Sequence, residues 1–154
     1  MKSTYTTINN PITSIRIQAY KNTRNLCLIR TINGIPAQEM TVEVHDFLPF
    51  NYVVADIKFM PEFVKTCFES TGLGTEIGKY YQDGTEYPLY EIDMAVLKEW
   101  SLSDYANYAT VRAERPCFSL TKEEIAEKMD QVRSNIIKEK CDRASELVRE
   151  SLSR

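Results

Sequence analysis

The sequence predicts an α+β fold, and three observations carry that expectation. Apolar and polar residues alternate through Ser14–Tyr20 and Gln38–His45, helical spacing takes over from Met94, and one long helical pattern closes the chain beyond Pro116. Together they imply a mostly antiparallel sheet of about four to six strands with one short helix packed on it, followed by short helices and a long C-terminal α-helix. Residues 1–115 are expected to form the α+β domain and residues 116–154 the long helix, an appendage of the same domain. A chain of 154 residues is long enough to bury a core without disulfides or a structural metal.

In chain order, Ser14–Tyr20 puts Ile15, Ile17 and Ala19 on one face of a strand, and Lys21–Asn25 reads as a turn. Leu26–Thr31 makes the second strand and leads into Asn33-Gly34, a hairpin signal. The third strand, Gln38–His45, turns Met40, Val42 and Val44 inward. Parity favours a three-residue turn, Ile32-Asn33-Gly34, because it sets Leu26 opposite Met40; a two-residue turn would place leucines on the face of Glu39. The loop Asp46–Asn51 is unusually apolar, and Phe47, Leu48 and Phe50 are expected to plug one end of the core.

Tyr52–Ile57 reads as a fourth, buried strand. Met60-Pro61 starts a helix whose stripe is Phe63, Val64, Cys67 and Phe68 and whose left-handed cap is Gly72. Asp83-Gly84 marks a turn between Ile77–Tyr81 and Tyr87–Ile92, with Pro88 confining the latter to a sheet edge or an irregular path. Met94, Leu97 and Trp100 line one short helix, and Tyr105, Tyr108 and Ala109 mark another within Leu102–Arg112. Pro116 breaks that pattern. Thr121 and Glu124 have the spacing of a capping box for a helix that runs to about Leu152, with an apolar stripe that shifts by one residue midway.

The composition excludes several classes of function. No segment approaches the roughly 20 apolar residues of a membrane span and no signal-peptide pattern opens the chain, so a cytoplasmic protein is expected. Cys27, Cys67, Cys117 and Cys141 form no Cys-x-x-Cys pair and stand apart from the single His45, which argues against zinc and for buried apolar thiols. Gly72-Leu-Gly-Thr-Glu-Ile-Gly78 has one residue too many for a dinucleotide fingerprint and follows a helix instead of a strand, so no cofactor is expected. His45 reads as a solvated surface residue and Asp56 as a structural acceptor. No nucleophile, base and metal set comes together, and no enzymatic activity is expected.

The charge is unevenly placed. Residues 1–35 carry five bases and no acid, whereas residues 36–104 carry thirteen acids against four bases, a local charge of −9 inside a net −3. Seven of the nine tyrosines fall between Tyr52 and Tyr108, overlapping that acidic stretch. Tyrosine joins apolar area to a hydroxyl and is favoured at interfaces.

Three stretches, Asn33–Val44, Glu69–Gly74 and Tyr87–Asp93, resemble a family of small bacterial proteins of unassigned function carried on plasmids, phages and integrative elements. The resemblance covers about residues 14–93 and leaves the long C-terminal helix outside it. It implies a mobile-element accessory protein, and such proteins include inhibitors of host defence of the anti-CRISPR type. It offers no catalytic residue to carry over. A CRISPR nuclease holds nucleic acid in a positively charged channel, so an acidic, tyrosine-bearing surface could occupy it as a nucleic-acid mimic. The expected partner is thus a protein with a basic surface. The expected binding residues are Glu76, Tyr80, Tyr81, Asp83, Glu86, Tyr87, Tyr90, Glu91 and Asp93. The rival reading is a nucleic-acid-binding accessory protein that uses the basic N-terminal strands and the C-terminal helix.

Overall fold

A computed structural model describes residues 13–56, 61–114 and 119–152. Lys2, Ile57, Lys58, Met60, Pro116 and Cys117, and the side chain of Phe63, lie outside that description. The described chain is α+β, built from two three-stranded antiparallel sheets, three short helical segments and one long helix. By its internal contacts it divides into two units, residues 1–121 and 122–154.

In the first sheet the order is β1 (Thr13–Ala19), β2 (Leu26–Ile32), β3 (Ile35–Glu39). The alternation of β1 does what its pattern requires: Ile15 and Ile17 are buried and Arg16 and Gln18 are exposed. The β2–β3 turn is not the three-residue one that parity favours. Ile32 pairs with Ile35 across a two-residue Asn33-Gly34 turn, with φ of 53° and 78°, both in the left-handed region that this tight turn needs. The parity is repaired inside the strand. Pairing jumps from Thr31↔Pro36 to Arg30↔Gln38, leaving Ala37 as a bulge, and Met40 N–H then donates to Leu28 O at 2.8 Å with both side chains fully buried.

The third strand also ends sooner than its alternation suggests. At Thr41 the chain crosses to the second sheet, bridging Ala55, while Val42 N–H donates to Val54 O at 2.8 Å. That sheet has the order β4 (Tyr52–Val54), β6 (Thr85–Ile92), β5 (Gly74–Gln82), so β6 is the central strand. Pro88 therefore sits in the middle of a sheet and not at an edge. It is tolerated because it lies where β4 runs out: its carbonyl accepts from Ala55 N–H at 3.0 Å, and the N–H it lacks would serve only the residue beyond the last β4 pair, Val54↔Leu89.

Helix α1 (Pro61–Lys65) passes into a π-helical turn, Thr66–Ser70, and Gly72 closes it at φ 76°. Val64, Cys67 and Phe68 are buried, and Phe68 packs on Tyr90 with ring centroids 4.8 Å apart. Helices α2 (Met94–Trp100) and α3 (Leu102–Ala113) complete the core with Leu97, Trp100 and Tyr108. Asp104 on α3 accepts the Ile17 N–H of β1 at 3.1 Å. Near the C-terminal end of α3 the buried Arg112 guanidinium donates to Leu48 O at 2.7 Å and Ser119 Oγ at 2.8 Å. Phe50 stacks on Tyr108 at 5.0 Å beside it. Leu48 and Phe50 thus close the core end as their loop composition implies, with Arg112 as the clamp.

The second unit is α4 (Lys122–Leu152), 31 residues. Ile125 and Met129 in its first turns are buried; from Asp130 to Leu152 no side chain is. Among the described residues no helix is long and apolar enough to cross a membrane.

Candidate functional site

The acidic, tyrosine-bearing stretch folds into the β5–β6 hairpin, closed by a two-residue turn with Asp83 at φ 52° and Gly84 at φ 77°. Strand alternation decides which of its residues can meet a partner. Glu86, Pro88, Tyr90 and Ile92 lie on one face of β6; Thr85, Tyr87, Leu89 and Glu91 lie on the other. On β5, Ile77 is a bulge, pairing shifting from Glu76↔Tyr90 to Gly78↔Leu89. The shift puts Glu76, Lys79 and Tyr81 on the face of Glu86, and Tyr80 opposite Tyr87.

Three of the expected binding residues are core. Tyr80, Tyr87 and Tyr90 are all buried, and this overturns their assignment to a contact surface. The physical reason is that the sheet is buried on both faces: Val53, Tyr90 and Ile92 line the main core, while Tyr52, Val54, Tyr80, Tyr87 and Leu89 are buried on the opposite side. Strands buried on two sides read as continuous apolar runs, and tyrosine supplies bulk there as phenylalanine would. The hydroxyls find internal uses. Tyr80 donates to the Asp46 carboxylate, and burial first, then that carboxylate, pushes its pKa well above the usual phenol value. Burial, then the Glu69 and Glu76 carboxylates, push Tyr90 up to about 12.

Asp93 is also structural. It caps α2, its Oδ1 accepting from Ala95 N–H at 3.0 Å and Val96 N–H at 3.4 Å. Glu91 is half-buried on the face away from Glu76 and Glu86, opposite Thr75 on one side and Tyr52 on the other. The nine residues therefore do not form one patch. What remains together at the turn end is Tyr81, Asp83 and Glu86, for Tyr81 pairs with Glu86 beside the turn, whereas Glu76 shares their face but pairs with Tyr90 near the other end of the hairpin. All three acids are exposed and Tyr81 is half-buried. Glu76 is partly neutralised by Lys79, whose Nζ lies 3.0 Å from its carboxylate.

Residues without a sequence signal hold this end in place. The Gln82 side chain accepts from His45 N–H at 2.9 Å and donates to Glu43 O at 3.4 Å, seating the hairpin on the 43–45 segment. His45 Nε2 comes within 3.7 Å of Asp83 Oδ2, both side chains about 80% exposed, a pair too solvated to hold Asp83 closed. Glu43, exposed on that segment, adds a further carboxylate to the group.

The glycines of the 72–78 stretch have structural uses: Gly72 turns the chain left-handed, and a Cβ at Gly74 would meet Ile92 Cδ1 at 3.1 Å. A second polar cluster joins Tyr20, Cys27, Glu39 and Thr41, where the Tyr20 hydroxyl meets Glu39 and lies 2.9 Å from Thr41 Oγ1. Burial, aided by the Glu39 and Glu43 carboxylates, pushes the Cys27 thiol up, which disfavours the thiolate a nucleophile needs. Among the described residues no group of three or more His, Cys, Asp or Glu side chains is placed to hold a metal ion. Compared with protein-family models, curated proteins and solved structures, the chain finds no match.

Proposed function

We propose that this protein is a non-catalytic binding protein that inhibits a partner with a basic surface, of the anti-CRISPR type that the sequence resemblance implies, by presenting the turn end of the β5–β6 hairpin. The observation that carries the reading is the pair of exposed carboxylates of Asp83 and Glu86 beside half-buried Tyr81 at the turn, with exposed Glu76 further along the same face, in a region whose net charge is −9. Of the thirteen acids in residues 36–104, nine are exposed: Glu39, Glu43, Glu62, Glu69, Glu76, Asp83, Glu86, Asp93 and Glu99. Fixed carboxylates at a strand turn raise the on-rate for a cationic channel and compete there with phosphates.

The rival reading, direct nucleic-acid binding through the basic N-terminal strands, has less to draw on. Arg24 is engaged with Glu114 at 2.7 Å, which leaves Arg16 and Lys21 as the exposed cations of the described part of that segment. The decisive experiment is a cleavage assay with a purified CRISPR nuclease, comparing the native chain with one in which Glu76, Asp83 and Glu86 are changed to lysine. Inhibition should weaken by about 100-fold and the native effect should fall steeply as salt rises. Undiminished inhibition by the reversed chain rules out this surface, and no inhibition by the native chain rules out the nuclease as partner.

A further inference from the structure

We propose that the cavity beside Arg112 binds a small organic carboxylate with an apolar body, an aromatic or branched monocarboxylate, held by Arg112 and Ser119. The inference is independent of the hairpin reading. Phe50, Ala109, Arg112, Ala113 and Ser119 line the cavity, which encloses about 370 Å³, within the range of small-molecule pockets. Ala109, Arg112 and Ala113 are three and four residues apart and so share one face of α3, while Phe50 supplies an aromatic wall. The small side chains at 109 and 113 leave open the space that longer ones would fill.

Charge selects the ligand. Arg112 is 8% exposed, yet every acceptor it meets is neutral: Nη2 donates to Leu48 O at 2.7 Å and Ser119 Oγ at 2.8 Å, and Nη1 to the Tyr108 hydroxyl at 3.3 Å and Arg24 O at 3.5 Å. Among the described residues no carboxylate forms an ion pair with it, and Glu114, two residues on, is engaged by Arg24 at 2.7 Å. A desolvated cation without a counter-charge is costly, and in its low-dielectric setting it attracts an anion more strongly than a solvated one does. Two donors are left for that anion. The Arg112 Nε–H makes no hydrogen bond among the described residues, and the Ser119 hydroxyl, which accepts from Nη2, directs its own proton away from the guanidinium. Nε–H leaves the guanidinium on the same edge as Nη2, so the two donors suit the two oxygens of one carboxylate. The remaining walls, Phe50 and the two alanines, offer a phosphate nothing and an apolar body a dry contact.

Titration of the full chain with sodium benzoate, followed by amide chemical shifts, tests the proposal. The Ala109, Ala113 and Ser119 signals should move together and saturate, with a dissociation constant on the order of 1 mM for so small a ligand. Benzamide, the same shape without the charge, and acetate and inorganic phosphate, charged without the ring, should each bind at least about 10-fold more weakly. Ala113→Leu fills the cavity from an exposed position without touching the Arg112 hydrogen bonds; it should keep the native circular dichroism and weaken benzoate by about 10-fold or more. Absence of saturable shifts at these residues up to about 20 mM benzoate, well beyond that affinity, overturns the proposal. So does benzamide or phosphate binding as tightly as benzoate, or undiminished binding by the Ala113→Leu chain.

Discussion

Two apolar stripes of nearly the same composition meet opposite fates in this molecule. In α1 and its π-helical turn, Val64, Cys67 and Phe68 are buried, at 1% exposure or less; in the distal part of α4, Ile137, Cys141 and Val148 are exposed. The contrast is sharpest in the two cysteines. Burial pushes the Cys67 thiol up to about 12, whereas Cys141 stands in solvent. Spacing announces an apolar face in both places, but whether that face is a core or a docking surface is settled by what the rest of the chain brings to it. For α1 the rest of the chain brings Tyr90, Ile92 and Leu73.

The largest expected effect follows from truncating the covered stripe. Phe68→Ala removes a ring packed at a tilt on Tyr90 and should cost about 3–5 kcal/mol of unfolding free energy, read as a lower urea midpoint. Leu147→Ala on the open stripe should stay within about 0.5 kcal/mol. A cost below about 1 kcal/mol for Phe68→Ala would break the distinction between the two faces.

Charged residues divide the same way. Arg112→Ala on α3 leaves Leu48 O and Ser119 Oγ without their donor and opens the space beside the stacked Phe50 and Tyr108 rings, a loss of about 2–4 kcal/mol. Arg143→Ala, on the exposed part of α4, should change the midpoint within error. Equal midpoints for the two variants would show that Arg112 is no clamp.

Much of this architecture was legible because local rules and burial agreed. Helix α1 begins at its proline, Gly72 ends it, Asp83-Gly84 turns the hairpin, and α2, α3 and α4 follow the apolar spacing that announces them. The failures have a common cause in contacts between distant segments. The expectation that the leucines of β2 share the buried face of Met40 holds, but the one set against Met40 is Leu28 and not Leu26, because the extra residue sits at Ala37 and not in the turn, Asn33-Gly34 suiting a two-residue turn better than a longer one. Pro88 was expected at an edge because the early end of β4 could not be foreseen from either strand alone. Tyr80, Tyr87 and Tyr90 were assigned to a surface because a tyrosine in a doubly buried strand has the same letter as one at an interface; their partners, Asp46 and Phe68, lie far off in sequence. Arg112 carried no signal, since its acceptor Leu48 is 64 residues away.

Those buried tyrosines make the covered region sensitive to alkali in a way that α4 is not. In the folded chain Tyr90 is raised from 10.0 to about 12, and Tyr20, Tyr80 and Tyr108 are raised as well, chiefly by burial. A phenol whose folded pKa exceeds its unfolded one holds its proton more tightly in the folded state. Its stabilising contribution is complete below about pH 10 and is lost as pH rises through the folded value. The urea midpoint should therefore be flat up to about pH 9 and fall steeply between about pH 10 and 12, with the tyrosinate absorbance rising in step with loss of tertiary signal. Full titration of all tyrosines while that signal persists would place them at the surface after all.

The smallest effect isolates the comparison to a single atom. Cys67→Ser and Cys141→Ser exchange the same sulfur for the same oxygen, one on a buried helical face and one on an exposed one. At position 67 the hydroxyl enters the apolar core, so it should cost about 1–3 kcal/mol. At position 141 it should cost nothing measurable. Reaction with an aromatic disulfide reagent, in a Cys117→Ser background, reads the same difference kinetically: Cys141 reacts at the rate of a free thiol and Cys67 only as fast as the fold opens. One measurement thus separates a thiol that the chain buries from one that it leaves in solvent.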